Sequence, residues 1–229
     1  MSATQCIDPR TPADDISRQT TTTPGSCGRH VEMAGPPAAA SAGRLDRART
    51  FSPLYCAAMN DAVLQEILDR AAIQRVLFDY CSGIDRCDEE LLRSVYHPGA
   101  YDDHGVFKGD AGDFVTFALD SLRTVDRATQ HLVSNIRIDL DGDTARAESY
   151  LVARHVRDTP EGRLLLTFGG RYLDGFERRD GAWKIAHRLV VVDWEKSELT
   201  VRARGHRHFT TGARKPDDLS YHWDQLVKG

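Results

Sequence analysis

The chain has 229 residues, 41% of them hydrophobic, which suits one ordinary domain with appendages better than two small ones. Its formal net charge of -4 offers no basic field for phosphates, so nucleic acid is not an expected partner. The five cysteines are odd in number and none stands in a CxxC or Cys/His spacing, so free thiols and no metal site are expected.

Residues 1–58 are rich in Thr, Ser, Pro, Gly and Ala, as in Thr20-Thr21-Thr22-Thr23-Pro24-Gly25, and show no helical or strand period. Such a segment buries too little apolar surface to offset its chain entropy, so disorder is predicted. Met59 directly precedes the first periodic stretch and is the expected natural start. No apolar run approaches the roughly 18 residues of a membrane helix. The N-terminus also lacks a secretory apolar stretch, so the expectation is a cytoplasmic protein without a membrane partner.

From Asn60, a candidate N-cap, the positions Leu64, Ile67, Leu68, Ala71, Ala72, Leu77 and Tyr80 recur at helical spacing and predict a long helix to about Gly83. A second helix follows, capped by Asp88, with Leu91, Leu92, Val95 and Tyr96 as its stripe and Pro98-Gly99 as its stop. Ala100 to Lys108 reads as a small hairpin. Asp110 or Asp113 opens a third helix, with Phe114, Phe117, Ala118 and Leu122 on one face.

After Arg127 the pattern becomes extended: Thr129 to Leu140, Thr144 to Arg157, Arg163 to Arg178, and Ala182 to Trp194. Asp141-Gly142, Pro160-Glu161-Gly162 and Asp180-Gly181 are hairpin signals between these runs, so an antiparallel meander is predicted. Helices first and hairpins afterwards imply an α+β fold, with the helices on one face of the sheet. Gly169-Gly170 is the expected bend site, and a bent sheet closed by helices leaves a hollow. The domain is therefore expected to span residues 60–199. Residues 200–229 read as a solvated tail, with a lid or a strap anchored by Tyr221 and Trp223 as the functional alternative.

Asp85 falls where the first helix ends, and His131 begins the first long strand. Taken singly, an Asp at a helix end is more often a capping residue, and a strand histidine more often structural. His97, Asp102, Asp103 and His104 crowd one short segment, but their spacing matches no established metal motif and adjacent strand residues point to opposite sides. The reading preferred here makes His97 a helix-terminal cation and lets either His104 or Tyr101 line the pocket, with Asp102 and Asp103 equally well read as surface hairpin residues. His155 and His187 lie on strands whose facing is left open, and only one of the neighbours His187 and Arg188 can face inward.

Arg70-Ala71-Ala72-Ile73-Gln74, the Gly83-Ile84-Asp85 turn, Gln130-His131 followed by Asn135, and Phe176-Glu177-Arg178-Arg179-Asp180-Gly181-Ala182-Trp183-Lys184 together resemble the SnoaL-like family. That family belongs to the nuclear-transport-factor-2-like superfamily and includes scytalone dehydratase, bile acid 7α-dehydratase and hexachlorocyclohexane dehydrochlorinase. The resemblance implies a cone-shaped, curved antiparallel sheet with N-terminal helices packed on its concave side. It also implies an Asp–His dyad at Asp85 and His131, a homo-oligomer (dimer or trimer), and no metal or organic cofactor. Tyr80 and Arg188 match further positions of the bile acid dehydratase, whereas the dehydrochlorinase carries lysine at the place of Tyr80.

The dyad also has a physical rationale. A carboxylate bonded to one imidazole nitrogen fixes the tautomer, leaves the other nitrogen free to take a proton, and stabilises the imidazolium that results. His131 is then the base and Asp85 its orienter, while Arg188, Tyr80, Tyr101 and His104 contact the substrate and its developing charge. The expected function is a cofactor-independent, dehydratase-like lyase acting on a small hydrophobic cyclic substrate such as a steroid or polyketide. The alternatives are an isomerase or cyclase with the same dyad, a small-molecule binder, or a structural subunit resembling the β subunit of ring-hydroxylating dioxygenases.

Overall fold

The computed structural model describes residues 53–200 and 210–223, with side chains from residue 60 onward and, at the end of the sheet, to residue 199. Of residues 1–58, expected to be disordered, 53–58 instead form the first turns of a helix, while 1–52 and the state of Cys6, Cys27 and Cys56 lie outside the described residues and side chains.

The elements run α1 (Pro53–Arg86), α2 (Glu89–Ser94), β1 (Tyr96–Asp103), β2 (Lys108–Asp110), α3 (Ala111–Val125), β3 (Ala128–Asp141), β4 (Thr144–Thr159), β5 (Gly162–Arg179) and β6 (Ala182–Thr200). Helix α1 begins at Pro53 rather than Asn60, and its apolar stripe is only partly used. Val63, Leu64, Ile67 and Leu68 are more than half exposed, and packing begins further along, at Ile73, Leu77, Tyr80, Cys81 and Ile84.

Asp88 caps α2 as its sequence suggests, accepting the Leu91 N–H at 3.1 Å. The helix ends at Ser94, before Pro98-Gly99, because Tyr96 to Asp103 already pair with the sheet. His97 is therefore a strand residue, buried, with Nε2 at 2.8 Å from the Glu177 carbonyl, and not a helix-terminal cation. Asp110 caps α3 through the N–H groups of Gly112 and Asp113. Ala111, Phe114, Val115, Ala118, Leu119 and Leu122 form the buried face of α3, while Phe117 turns partly to solvent.

The four long strands pair as consecutive antiparallel hairpins, with Asp180 and Gly181 both at positive φ in the last turn. The α+β class holds, but the antiparallel cone does not. The six strands lie in the order β2-β1-β6-β5-β4-β3, and β1 runs parallel to β6, so the sheet is mixed and ends in two open edges instead of curling closed. Hairpin signals reveal only neighbours joined by a turn. The β1–β6 pairing joins the two halves of the chain across the whole meander and leaves no local mark in the sequence.

Three one-residue bulges set the facing of the sheet. In β3, Asn135 at φ 49° sits where the register with β4 shifts between Ser134 and Arg137. In β6, Ala186 is the extra residue between Ile185 and His187, so Trp183 and Ile185 face the helices and so does Arg188. At Gly169-Gly170 the register shifts again, opposite Asp193, as the glycine pair suggests. A Cβ on Gly169 would meet the Trp194 ring at 2.0 Å, and one on Gly170 would meet the Val191 carbonyl at 2.1 Å. Glycine is required there for close approach.

Phe176 and Trp183 are core residues, and the indole N–H of Trp183 donates to Asp69 at 2.8 Å. The segment 210–223 is a strap laid over the ends of the helices. Arg214 donates to the Leu122 and Asp126 carbonyls at the end of α3, and Lys215 Nζ and the Tyr221 hydroxyl both reach Asp88, while Trp223 stays exposed.

Candidate functional site

Three Asp–His pairs lie on the helix-facing side of the sheet. The first joins elements distant in sequence: Asp85 in the last turn of α1 and His131 on β3. Both carboxylate oxygens are used, Oδ1 at 2.7 Å from the ring Nδ1 and Oδ2 accepting the His131 backbone N–H at 2.9 Å. This two-point grip fixes the ring against the helix end, and the two side chains are 8% and 6% exposed. A carboxylate opposite Nδ1 places the neutral imidazole's proton there and leaves the Nε2 lone pair free.

The second pair was not identified from sequence. His155 on β4 lies diagonally across from His131, its ring centroid 5.5 Å away in an edge-on arrangement, and its Nδ1 is 3.1 Å from Asp126. Asp126 also accepts from Arg157 Nε at 2.7 Å. Burial lowers the His155 pKa, and a charge on His131 lowers it further against the pull of Asp126, so this ring favours the neutral form beside its neighbour. The inward alternation of Ala145, Ala147, Ser149, Leu151 and Ala153, all buried, continues to His155 and was the signal available for placing it.

The third pair, Asp102 and His104, closes the end of β1. Asp102 is wholly buried, not a surface hairpin residue: His104 Nδ1 contacts its Oδ1, and the Tyr96 hydroxyl donates to its Oδ2 at 2.7 Å. The His104 ring stacks on Phe114 at 4.1 Å, and its Nε2 lies 3.1 Å from the Tyr80 hydroxyl.

Arg188 faces inward and His187 outward, which settles that pair. The Arg188 guanidinium is 0% exposed, bound to Asp174 through Nε at 2.7 Å and Nη2 at 2.8 Å, and sandwiched between the Tyr80 and Tyr172 rings at 4.1 and 3.9 Å. Burial alone would lower its pKa, but the Asp174 charge prevails and holds it far up, so the cation is permanent. Its Nη1 has no hydrogen-bond partner among the described residues. Burial pushes the Tyr80 hydroxyl pKa well up, against Arg188, so Tyr80 is a protonated phenol.

Asp85, His131, Tyr80, His104 and Arg188 thus share one side of the sheet. Tyr101 does not join them. It is 40% exposed and stacks on His187 at 5.2 Å, on the face opposite Asp102 and Arg188. Two open clefts, about 550 and 460 Å³, share Asp139, Arg146 and His187 on that outer face; neither contains one of these hydrogen-bonded Asp–His pairs. The enclosed side, with its buried Asp–His pairs, has the arrangement of an active site. Among the described residues no helix is long and apolar enough to cross a membrane.

Residues 65–189 match the family of the SnoaL-like domain. An uncharacterised protein of Mycobacterium tuberculosis is 28% identical over 145 residues, 62% of this chain and 98% of that protein. Hexachlorocyclohexane dehydrochlorinase 1 of Sphingobium indicum is 27% identical over 127 residues, 54% of this chain and 80% of the enzyme. Among solved structures, a type 2 hexachlorocyclohexane dehydrochlorinase superposes with a TM-score of 0.56 at 20% identity, covering 63% of this chain and 98% of that one. A proposed scytalone dehydratase of Novosphingobium aromaticivorans gives 0.52 at 24% identity, covering 64% of this chain and 97% of that one.

Proposed function

Since the chain belongs to the SnoaL-like family of the nuclear-transport-factor-2-like superfamily, we propose that it is a cofactor-independent lyase that removes water from a small hydrophobic cyclic substrate, with His131 as the base. The observation that carries this reading is the two-point grip of Asp85 on His131, which aims a free Nε2 lone pair away from the carboxylate. Proton abstraction beside a carbonyl requires such a base, oriented and stabilised as it charges. Burial and the neighbouring ring hold the His155 pKa down, which disfavours a second charge beside His131.

Arg188 supplies fixed positive charge, and its unpartnered Nη1 is a donor for the enolate oxygen. Tyr80, held protonated by burial, is the acid for the departing hydroxyl. The roles of Asp85, His131, Tyr80, His104 and Arg188 stand or fall with this mechanism. Tyr101, on the other face with half-exposed Leu132 and Tyr150, fits better as part of a surface covered by another copy in a dimer or trimer.

The test is a panel of alicyclic and tetralone-type β-hydroxy ketones incubated with the protein and followed by mass spectrometry. Loss of one water, abolished in a folded His131→Ala variant, is expected. Products of unchanged mass would indicate an isomerase, and turnover that survives His131→Ala would remove the mechanism.

A further inference from the structure

An elimination needs an acid that can be reloaded, and Tyr80, the acid assigned above, is enclosed and protonated. Resting on that reading, we propose that Asp102 and His104 form a second dyad whose partner is the Tyr80 hydroxyl, setting its direction and returning its proton after each turnover. The two residues are two apart at the end of one strand, so alternation places both on the helix-facing side. Phe114 holds the His104 ring flat, 16° from parallel, with Nδ1 on Asp102 and Nε2 on Tyr80. The Tyr80 ring packs edge-on against Tyr172 at 5.5 Å, and its hydroxyl heads a continuous chain Tyr80–His104–Asp102–Tyr96.

The direction of this chain follows from counting protons. A neutral His104 with its hydrogen on Nδ1 must accept at Nε2, and the single phenolic proton of Tyr80 points to it. A protonated His104 donates at Nε2 to the Tyr80 oxygen, and the Tyr80 proton is freed to point into the site. The charged or titratable groups facing the imidazole are Asp102 and Asp103 of β1, Tyr80 of α1 and Tyr172 of β5, with Arg188 of β6 acting through Tyr80.

In the reaction His131 Nε2 takes the C–H proton, and that electron pair forms the double bond. The C–O bond breaks with its pair on oxygen, which takes the Tyr80 proton and leaves as water. The Nε2 proton of His104 then moves to the phenolate, whose transient charge lies against the Arg188 guanidinium. His104, 19% exposed, is recharged by a solvent proton while His131 gives one up to solvent. The net change is loss of one water. His104 and Asp102 are positioning residues, since they act through Tyr80.

The test uses the full chain carrying ¹⁵N-histidine and ¹³Cζ-tyrosine, with Tyr80→Phe and His104→Phe assigning the signals by NMR. The neutral His104 is expected to hold its proton on Nδ1, and the Tyr80 ¹³Cζ signal is expected to move with the His104 midpoint as pH is changed. In isosteric Asp102→Asn the proton should shift to Nε2 and the joint movement disappear. A wild-type His104 protonated on Nε2, or a Tyr80 signal indifferent to His104, overturns the proposal. This measurement needs no substrate, so it can fail while the lyase reading survives, and the reverse. On any ketone from the panel that turns over, Asp102→Asn should lower kcat by about 10- to 100-fold with KM within about 2-fold and displace the acid limb of the pH profile. An unchanged kcat and profile would show the pair to be merely structural.

Discussion

The Asp85–His131 and Asp102–His104 pairs contain the same two side chains, yet they are built in opposite ways. The first spans 46 residues and exists only because the end of α1 packs on the start of β3. The second spans two residues at one strand end and is oriented by its surroundings, Phe114, Tyr96 and Tyr80. The long-range pair depends on tertiary packing and leaves one nitrogen open, whereas the local pair has both ring nitrogens occupied. On the proposed mechanism, identical side chains are divided between a base that meets the substrate and a relay that serves another residue.

The comparison is tested most severely by His131→Ala, expected to lower turnover by about 10²- to 10⁴-fold while leaving the circular dichroism spectrum unchanged. A smaller loss than in Asp102→Asn would invert the division of labour. Next is Arg188→Ala, which leaves Asp174 buried without its partner and should cost about 3–5 kcal/mol in denaturant unfolding. Gly170→Ala forces a methyl against the Val191 carbonyl and should cost about 1–3 kcal/mol by the same measurement, without altering the His131 tautomer.

The smallest expected effect is on the strap. N–H groups of Ala213 and Ser220 and the Ser220 hydroxyl hold the Asp218 pKa down to about 2, below the ordinary 3.8. A carboxylate with a depressed folded pKa stabilises fully above its unfolded value and loses that contribution as pH falls through the folded one. Strap docking, followed by protease cleavage within residues 210–223, should therefore weaken between about pH 4 and pH 2. Asp218→Asn should reduce that dependence, leaving the part due to Asp88, whose pKa burial raises but Lys215 and Tyr221 of the strap bring down below the ordinary value.

Much of this arrangement was legible in the residue pattern. The four long strands, their turns, and the caps at Asp88 and Asp110 follow from local periodicity and turn chemistry, and the structure places them close to the expected limits. The pairing that escaped was non-local, and two local features escaped with it. The parallel β1–β6 contact has no sequence marker, and the helix stop at Pro98-Gly99 was misplaced because β1 recruits those residues into the sheet. His155 was missed because strand alternation was not carried far enough along β4. The burial of Asp102 was missed because its hydrogen-bond partner Tyr96 lies on the same strand, across the Pro98-Gly99 interruption. For Arg188 the parity argument worked only as an exclusion, because the Ala186 bulge resets the count just before it.

The single extra residue at Asn135 carries a comparable consequence for β3. His131 and Ile138 are seven positions apart, an odd interval that would send them to opposite sides of an unbroken strand, yet both turn toward the helices. Deleting one residue there, with the distal end of β3 anchored by Ile138 and Leu140, would rotate the imidazole out to water without altering any functional side chain. The facing of the imidazole, and with it the proposed chemistry, is thus more vulnerable to a change in chain length at this bulge than to most exchanges of residue type.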